Sequence, residues 1–158
     1  MSLRPVELPP DVPGALYLSS MPGRFGTWKA FEEEAHACNL AAVVCLTPHD
    51  EVQELSPTYH AALSESGAPW KWVHLPMPNF GVPEDTALFR EGVLQIAASL
   101  RQGQSVMMHC AAGIGRTGSA AACVLKALGL PSDEALHRVR EAGSNPQNAA
   151  QSGFVDWF

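Results

Sequence analysis

Residues 105–118 read SVMMHCAAGIGRTG, an apolar run, then a loop of small residues, then a helix start, and this stretch decides the fold. Ser105–Met108 is the short continuous apolar segment expected of a strand buried on both faces. From Gly115 the sequence GRTGSAAACVLKAL predicts a buried helix to about Leu128. A strand, loop and helix in this order make an anion site, because the first N–H groups of a helix have no partner within it. Gly113, Gly115 and Gly118 permit backbone shapes and close approaches that side chains would block.

The side chains of the loop fit the same chemistry. Arg116 stands six residues after Cys110 and offers a planar fork matched to two equatorial phosphate oxygens. Together with Ala111, Ala112, Gly113, Ile114 and Gly115 it forms the expected phosphate-binding set. Inward amides, a helix N-terminus and an arginine all favour a thiolate, so Cys110 is the expected nucleophile. Attack in line on phosphorus gives a phosphocysteine, while the amides and Arg116 hold the charge on the oxygens. Water then cleaves that intermediate, and the Thr117 hydroxyl can donate to the departing sulfur. His109 is expected to order the loop rather than to carry protons. Cys-x5-Arg alone occurs by chance in many proteins. HC-x-x-G-x-G-R-T-G between a strand and a helix is a specific pattern.

Working outward, residues 4–14 hold Pro5, Pro9, Pro10 and Pro13 and predict an extended arm. Leu16–Ser20 predicts a short strand, and Thr27 an N-cap for a helix to about Cys38. Ala41–Leu46 predicts a buried strand, followed by a polar loop and a helix through the fifties and early sixties. Trp70–Leu75 predicts another strand, and Pro76–Pro83 a loop. A helix with Glu84 and Asp85 in its first turn is expected to reach about Leu100. Further helices are expected from Pro131 to about Gly143 and from about Gln147 to Phe158. The alternation implies an α/β fold with a central, mostly parallel sheet of four to five strands flanked by helices.

The bulk numbers set limits on this reading. A chain of 158 residues with 46% hydrophobic and 16% charged residues fits one soluble globular domain over 1–158, with 1–14 as its arm. The net charge of −6 argues against nucleic acid or an anionic membrane as the main partner. No apolar run approaches the roughly 20 residues that span a bilayer, and no signal peptide opens the sequence. Cys38, Cys45 and Cys123 lie in apolar stretches and read as small buried hydrophobes, which fits a reducing, cytoplasmic setting. The histidines lack ligand spacing, so neither a metal nor another cofactor is expected, and a monomer is.

With these residues in view, the sequence resembles the protein tyrosine phosphatase superfamily in its small dual-specificity-like branch, close to bacterial relatives of the kinase-associated phosphatases. The resemblance extends from the loop to LYLSSMPGRFG (Leu16–Gly26), VVCLTPHDE (Val43–Glu51), HLPMPNFGVPED (His74–Asp85) and QNAAQSGFV (Gln147–Val155). It implies metal-independent hydrolysis of a phosphorylated protein or peptide, phosphotyrosine first and phosphoserine or phosphothreonine in addition. It also implies a water-positioning glutamine, a pattern on which both Gln147 and Gln151 fall. The family's general acid is an aspartate on a loop about 30 residues before the cysteine. Asn79 stands there, 31 residues before Cys110, and cannot give up a proton. Asp85 on the same loop is the first alternative and Asp50 the second, with Glu84 and Glu51 weaker. The loop interior has no lysine, whereas phosphoinositide phosphatases of the superfamily place basic residues there; this favours a protein or aryl phosphate. Phe25, Phe80 and Trp28 can line an aromatic pocket or pack in the core, and Cys45 is a candidate oxidation partner of Cys110. Asn79 keeps a second function open, a catalytically impaired phosphate-binding pseudophosphatase.

Overall fold

The computed structural model describes residues 2–65 and 67–158. Its strands are β1 (Arg4–Val6), β2 (Ala15–Ser19), β3 (Leu40–Cys45), β4 (Lys71–His74) and β5 (Ser105–His109). They form one sheet in the order β1-β2-β5-β3-β4, with β1 antiparallel to β2 and all other pairs parallel. The helices are α1 (Trp28–Ala37), α2 (His49–Leu55), α3 (Pro57–Leu63), α4 (Thr86–Arg101), α5 (Gly115–Ala127), α6 (Ser132–Glu141) and α7 (Ala149–Trp157).

β5 occupies the middle of the sheet, which explains its unbroken apolar sequence. Val106 and Met108 face one core, shared with Leu16 and Leu18 of β2, Val93 and Ile96 of α4, and α5. Met107 faces the other, with Val43 of β3, Phe31 of α1 and Tyr59 of α3. That is the two-residue alternation of a strand, with apolar packing on both sides. α5 lies across the first core with every residue from Gly115 to Leu125 buried. The small residues Ser119, Ala120, Ala121 and Ala122 are buried where longer side chains would overpack, and a Cβ on Gly118 would stand 2.6 Å from the Asn145 backbone.

Three expectations need correction. The proline-rich arm is not merely extended: Arg4–Val6 pairs with Leu16–Leu18, and Pro5 is tolerated because β1 is an edge strand. The single helix expected through the fifties is broken at Ser56, which precedes Pro57; proline lacks the N–H and disfavours helical backbone in the residue before it. Asp85 is not inside the first turn of α4 but is its N-cap, and Oδ1 accepts from the Leu88 N–H at 3.0 Å. None of the helices among the described residues is long and apolar enough to cross a membrane.

Candidate active site

β5 delivers Cys110 to the C-terminal edge of the sheet, where ligand sites of α/β folds gather. Between Cys110 and α5 the backbone carbonyls are held from outside the loop. The Cys110 carbonyl lies 3.0 Å from His109 Nδ1. That of Ala111 accepts from Arg24 Nη1 at 3.0 Å and from the Met21 N–H at 3.3 Å. Gly113's accepts from the Ser144 hydroxyl and from Arg4 Nη2, both at 2.6 Å. Ile114's accepts from the Asn145 and Gly118 N–H groups at 3.1 and 2.8 Å. In a trans peptide the C=O and the following N–H point in opposite directions. The N–H groups of Ala111, Ala112, Ile114 and Gly115 therefore point away from those carbonyl partners, while that of Gly113 donates to Cys110 Sγ at 3.2 Å. Gly113 has φ +77°, and a Cβ there would stand 2.5 Å from the Ser19 carbonyl, so only glycine fits.

His109 is fully buried, and burial lowers its pKa from 6.5 to about 4, with the positive charge of Arg116 acting in the same direction. The ring is thus neutral at pH 7. A carbonyl can only accept, so Nδ1 carries the proton toward Cys110, and Nε2 accepts from the Tyr59 hydroxyl at 2.8 Å. Tyr59 in turn accepts from Trp72 Nε1–H at 2.9 Å. This chain matches the ordering role expected of His109.

Arg116 is 3% exposed. Its guanidinium is held in a fork by Glu51, with Nη2 to Oε2 at 2.6 Å and Nη1 to Oε1 at 3.2 Å, and Nη1 also donates to the Met77 carbonyl at 3.2 Å. Glu51, weighed from sequence only as a weak acid candidate, is therefore occupied as the partner of this arginine. A buried arginine requires an anionic partner, and Glu51 lies just past β3 on the same sheet edge; that rule was the available signal. Thr117 Oγ1 is the one buried side-chain oxygen or nitrogen among the described residues without a hydrogen-bond partner.

The two glutamines separate. Gln147 lies against the loop, so closely that a Cβ on Gly115 would collide with its carboxamide. Gln151 is fully buried; its Oε1 accepts from the Gln147 N–H and its Nε2 donates to the Gly81 carbonyl at 3.2 Å. Asn148 donates to the Phe80 carbonyl at 2.8 Å, so α7 tethers the loop that carries Asn79. Met77, whose carbonyl meets Arg116, lies two residues before Asn79, and Asn79 itself is exposed. Asp85 is exposed and caps α4, Asp50 Oδ1 accepts from the Glu51 N–H, and Glu84 is exposed.

Phe25 and Phe80 are 71% and 59% exposed, which removes the core-packing reading for both, whereas Trp28 stacks on Tyr59. Phe80 also holds φ +59°, a strained backbone for a bulky residue. Cys45 is buried with Sγ 3.2 Å from Thr47 Oγ1. Burial pushes the Cys123 thiol up to about 12, so it is inert; Cys38 is half-buried. Among the described residues no cluster of three His, Cys, Asp or Glu could hold a metal ion.

The family model described as "Polymorphic toxin system, DSP-PTPase phosphatase" matches residues 21–129, from the turn after β2 to the end of α5. The chain belongs to this phosphatase family. No curated protein matches the phosphatase by sequence. Solved structures match its fold. Kinase-associated phosphatase with its catalytic cysteine replaced by serine superposes with a TM-score of 0.83 at 19% identity, over 97% of this chain and 90% of its own. PTPMT1 in complex with PI(5)P gives 0.72 at 19%, over 90% and 88%. The human tyrosine phosphatase-like serine/threonine/tyrosine-interacting protein gives 0.71 at 19%, over 97% and 93%. The fold is that of the protein tyrosine phosphatases.

Proposed function

We propose that this dual-specificity-type phosphatase hydrolyses phosphotyrosine in proteins or peptides through a phosphocysteine on Cys110. The reading is supported by a loop whose carbonyls are held from outside, so that four N–H groups point away from those partners, with Cys110 Sγ on the same loop and Arg116 locked in orientation by Glu51. Cys110 attacks phosphorus, the N–H groups of Ala111, Ala112, Ile114 and Gly115 with Arg116 hold the three equatorial oxygens, and the phenolate leaves. Gln147, beside Gly115, orients the water of the second step, while Gln151 fixes the loop that covers the site. The unpartnered Thr117 hydroxyl finds its acceptor when sulfur must leave as thiolate. Phe25 and Phe80 offer apolar surface to the substrate ring, and the absence of lysine in the loop favours a protein over a phosphoinositide.

Asp85 enters this proposal as the acid at a cost, since reaching the phenolate breaks the cap on α4, worth about 1 kcal/mol. Asn79 and that cap together favour the second reading, a phosphate-binding module with slow turnover. Measurement of kcat/KM against pH on a phosphotyrosine peptide, with Cys110→Ser as blank, separates the two. Turnover with a falling alkaline limb supports the enzyme. Tight binding of the peptide with negligible turnover at every pH refutes it.

A further inference from the structure

The phosphate loop leans on a residue far outside its motif. Arg4, on edge strand β1, is half-buried and reaches across to the convex side of the loop. Its Nη2 donates to the Gly113 carbonyl at 2.6 Å, and its Nη1 to the Ala142 carbonyl at 2.6 Å and to Ser144 Oγ at 3.1 Å. Ser144 passes its own proton to the same Gly113 carbonyl at 2.6 Å. Both partners thus fix the plane of the peptide between Gly113 and Ile114, and the trans geometry points the Ile114 N–H away from them. A Cβ on Gly143 would stand 2.7 Å from Arg4 Nη1, so glycine at that position makes room for the guanidinium.

We infer that Arg4 is a positioning residue of the active site: from β1 it sets the Ile114 N–H toward the bound oxyanion and adds a fixed positive charge behind Cys110. It acts through the backbone of the loop and touches no substrate. Of the other charged and titratable groups around the cysteine, Arg116 is paired with Glu51, His109 is neutral, and Arg24 holds the Ala111 carbonyl as Arg4 holds that of Gly113. Among the described residues Arg4 has no carboxylate partner, and the charge of Cys110 favours its protonated form against the pull of burial. By reciprocity, a cation at this point favours the anion on sulfur and on phosphate.

This inference rests on the proposed phosphatase chemistry, so the test reads binding and thiol reactivity apart from turnover. The full chain is compared with Arg4→Met, Arg4→Lys and Ser144→Ala, and with Val6→Ala as a variant that loosens β1 without touching the loop. Tungstate affinity is measured by calorimetry, the rate of Cys110 alkylation by iodoacetamide at pH 6, and kcat and KM on a phosphotyrosine peptide. Arg4→Met is expected to weaken tungstate binding by about 10–100-fold, the range for loss of a charged hydrogen bond, and to slow alkylation. Arg4→Lys should recover the alkylation rate, which follows charge, but only part of the binding, which needs the fork. Ser144→Ala should weaken binding and leave alkylation unchanged. Should Arg4→Met fail to fold, the contrast between Arg4→Lys and Ser144→Ala still decides. Tungstate affinity and alkylation in the Arg4 variants equal to those of Val6→Ala would overturn the inference. A wild-type chain that binds tungstate but turns nothing over refutes the phosphatase reading and leaves the role of Arg4 standing.

Discussion

Replacing Glu51 with alanine strips Arg116 of its one carboxylate among the described residues and leaves the guanidinium, 3% exposed, with the Met77 carbonyl. Removing one member of a buried ion pair costs about 3–5 kcal/mol, because the surviving charge stays desolvated. Glu51 keeps 21% of its side chain exposed, so water can enter where it stood, and the lower end, about 3 kcal/mol, applies. For a chain of this size each kcal/mol moves Tm by about 2–4 °C, so Glu51→Ala should melt about 6–12 °C lower by calorimetry. Phosphate should raise the variant's Tm, since an anion bound by the folded state stabilises it by mass action. Turnover of a phosphotyrosine peptide should fall about 100-fold, the scale of a misplacement near 1 Å in a catalytic group. Glu51→Gln keeps an acceptor and should lose less of both. An unchanged Tm for Glu51→Ala, with unchanged kcat/KM, would refute the argument that this pair fixes Arg116.

The neutral His109 ring makes a pH prediction. Its pKa is lower folded, at about 4, than unfolded, at 6.5, so the unfolded chain binds the proton more readily between those values. Stability should therefore be unaffected above about pH 6.5 and decline as pH falls toward 4, by about 3 kcal/mol at about 1.4 kcal/mol per pH unit. Urea unfolding at pH 7, 5.5 and 4 checks this, with His109→Gln expected to be less stable at pH 7 but flatter across the range; parallel profiles count against it. Thr117→Val removes a hydroxyl without a hydrogen-bond partner among the described residues, so Tm should stay within about 2 °C while phosphocysteine hydrolysis slows, seen as a larger burst in rapid-quench kinetics. A lower Tm with no burst would give Thr117 a structural role instead. Asp85→Asn preserves the α4 cap, as asparagine caps as well as aspartate, and removes the proposed proton donor. Phosphotyrosine turnover should then drop about 100–10,000-fold at constant Tm, and an unchanged rate would retire Asp85 as the acid.

What the sequence discloses depends on how local the cause is. The strand, loop and helix of residues 105–127 and the Thr27 cap are written in neighbouring residues, and they appear where expected. The break at Ser56 was equally local, signalled by Pro57, but the apolar pattern on both sides hid it. Asp85 shows the limit of composition: an acidic residue at a helix start suits the dipole either inside the first turn or as the cap, and only backbone geometry separates these. Gln147 and Gln151 share a pattern four residues apart, yet burial and partners assign one to the loop and the other to the Gly81 carbonyl. Arg24, Ser144 and Arg4 were out of reach because each meets the loop across 30 or more residues, and Glu51, though named as an acid candidate, was not paired with Arg116 across the 65 positions between them. No periodicity records such a meeting. Phe25 and Phe80 stayed open between pocket and core for a related reason, since composition does not show which hydrophobic residues the surface keeps.

The bonds from Arg4 to the Ala142 carbonyl and to Ser144 span 138 and 140 positions, and Gln147 and Gln151 add the far end of the chain to the same few ångströms. During synthesis the segment through Gln151 must therefore leave the ribosome before the cradle can be assembled. Non-local closures of this kind are slow, because the entropy of the intervening chain is lost before any contact rewards it. Until then the nascent phosphatase carries its cysteine on a loop without its outer supports. A lesion in β1 or around residues 142–151 is therefore felt at the loop.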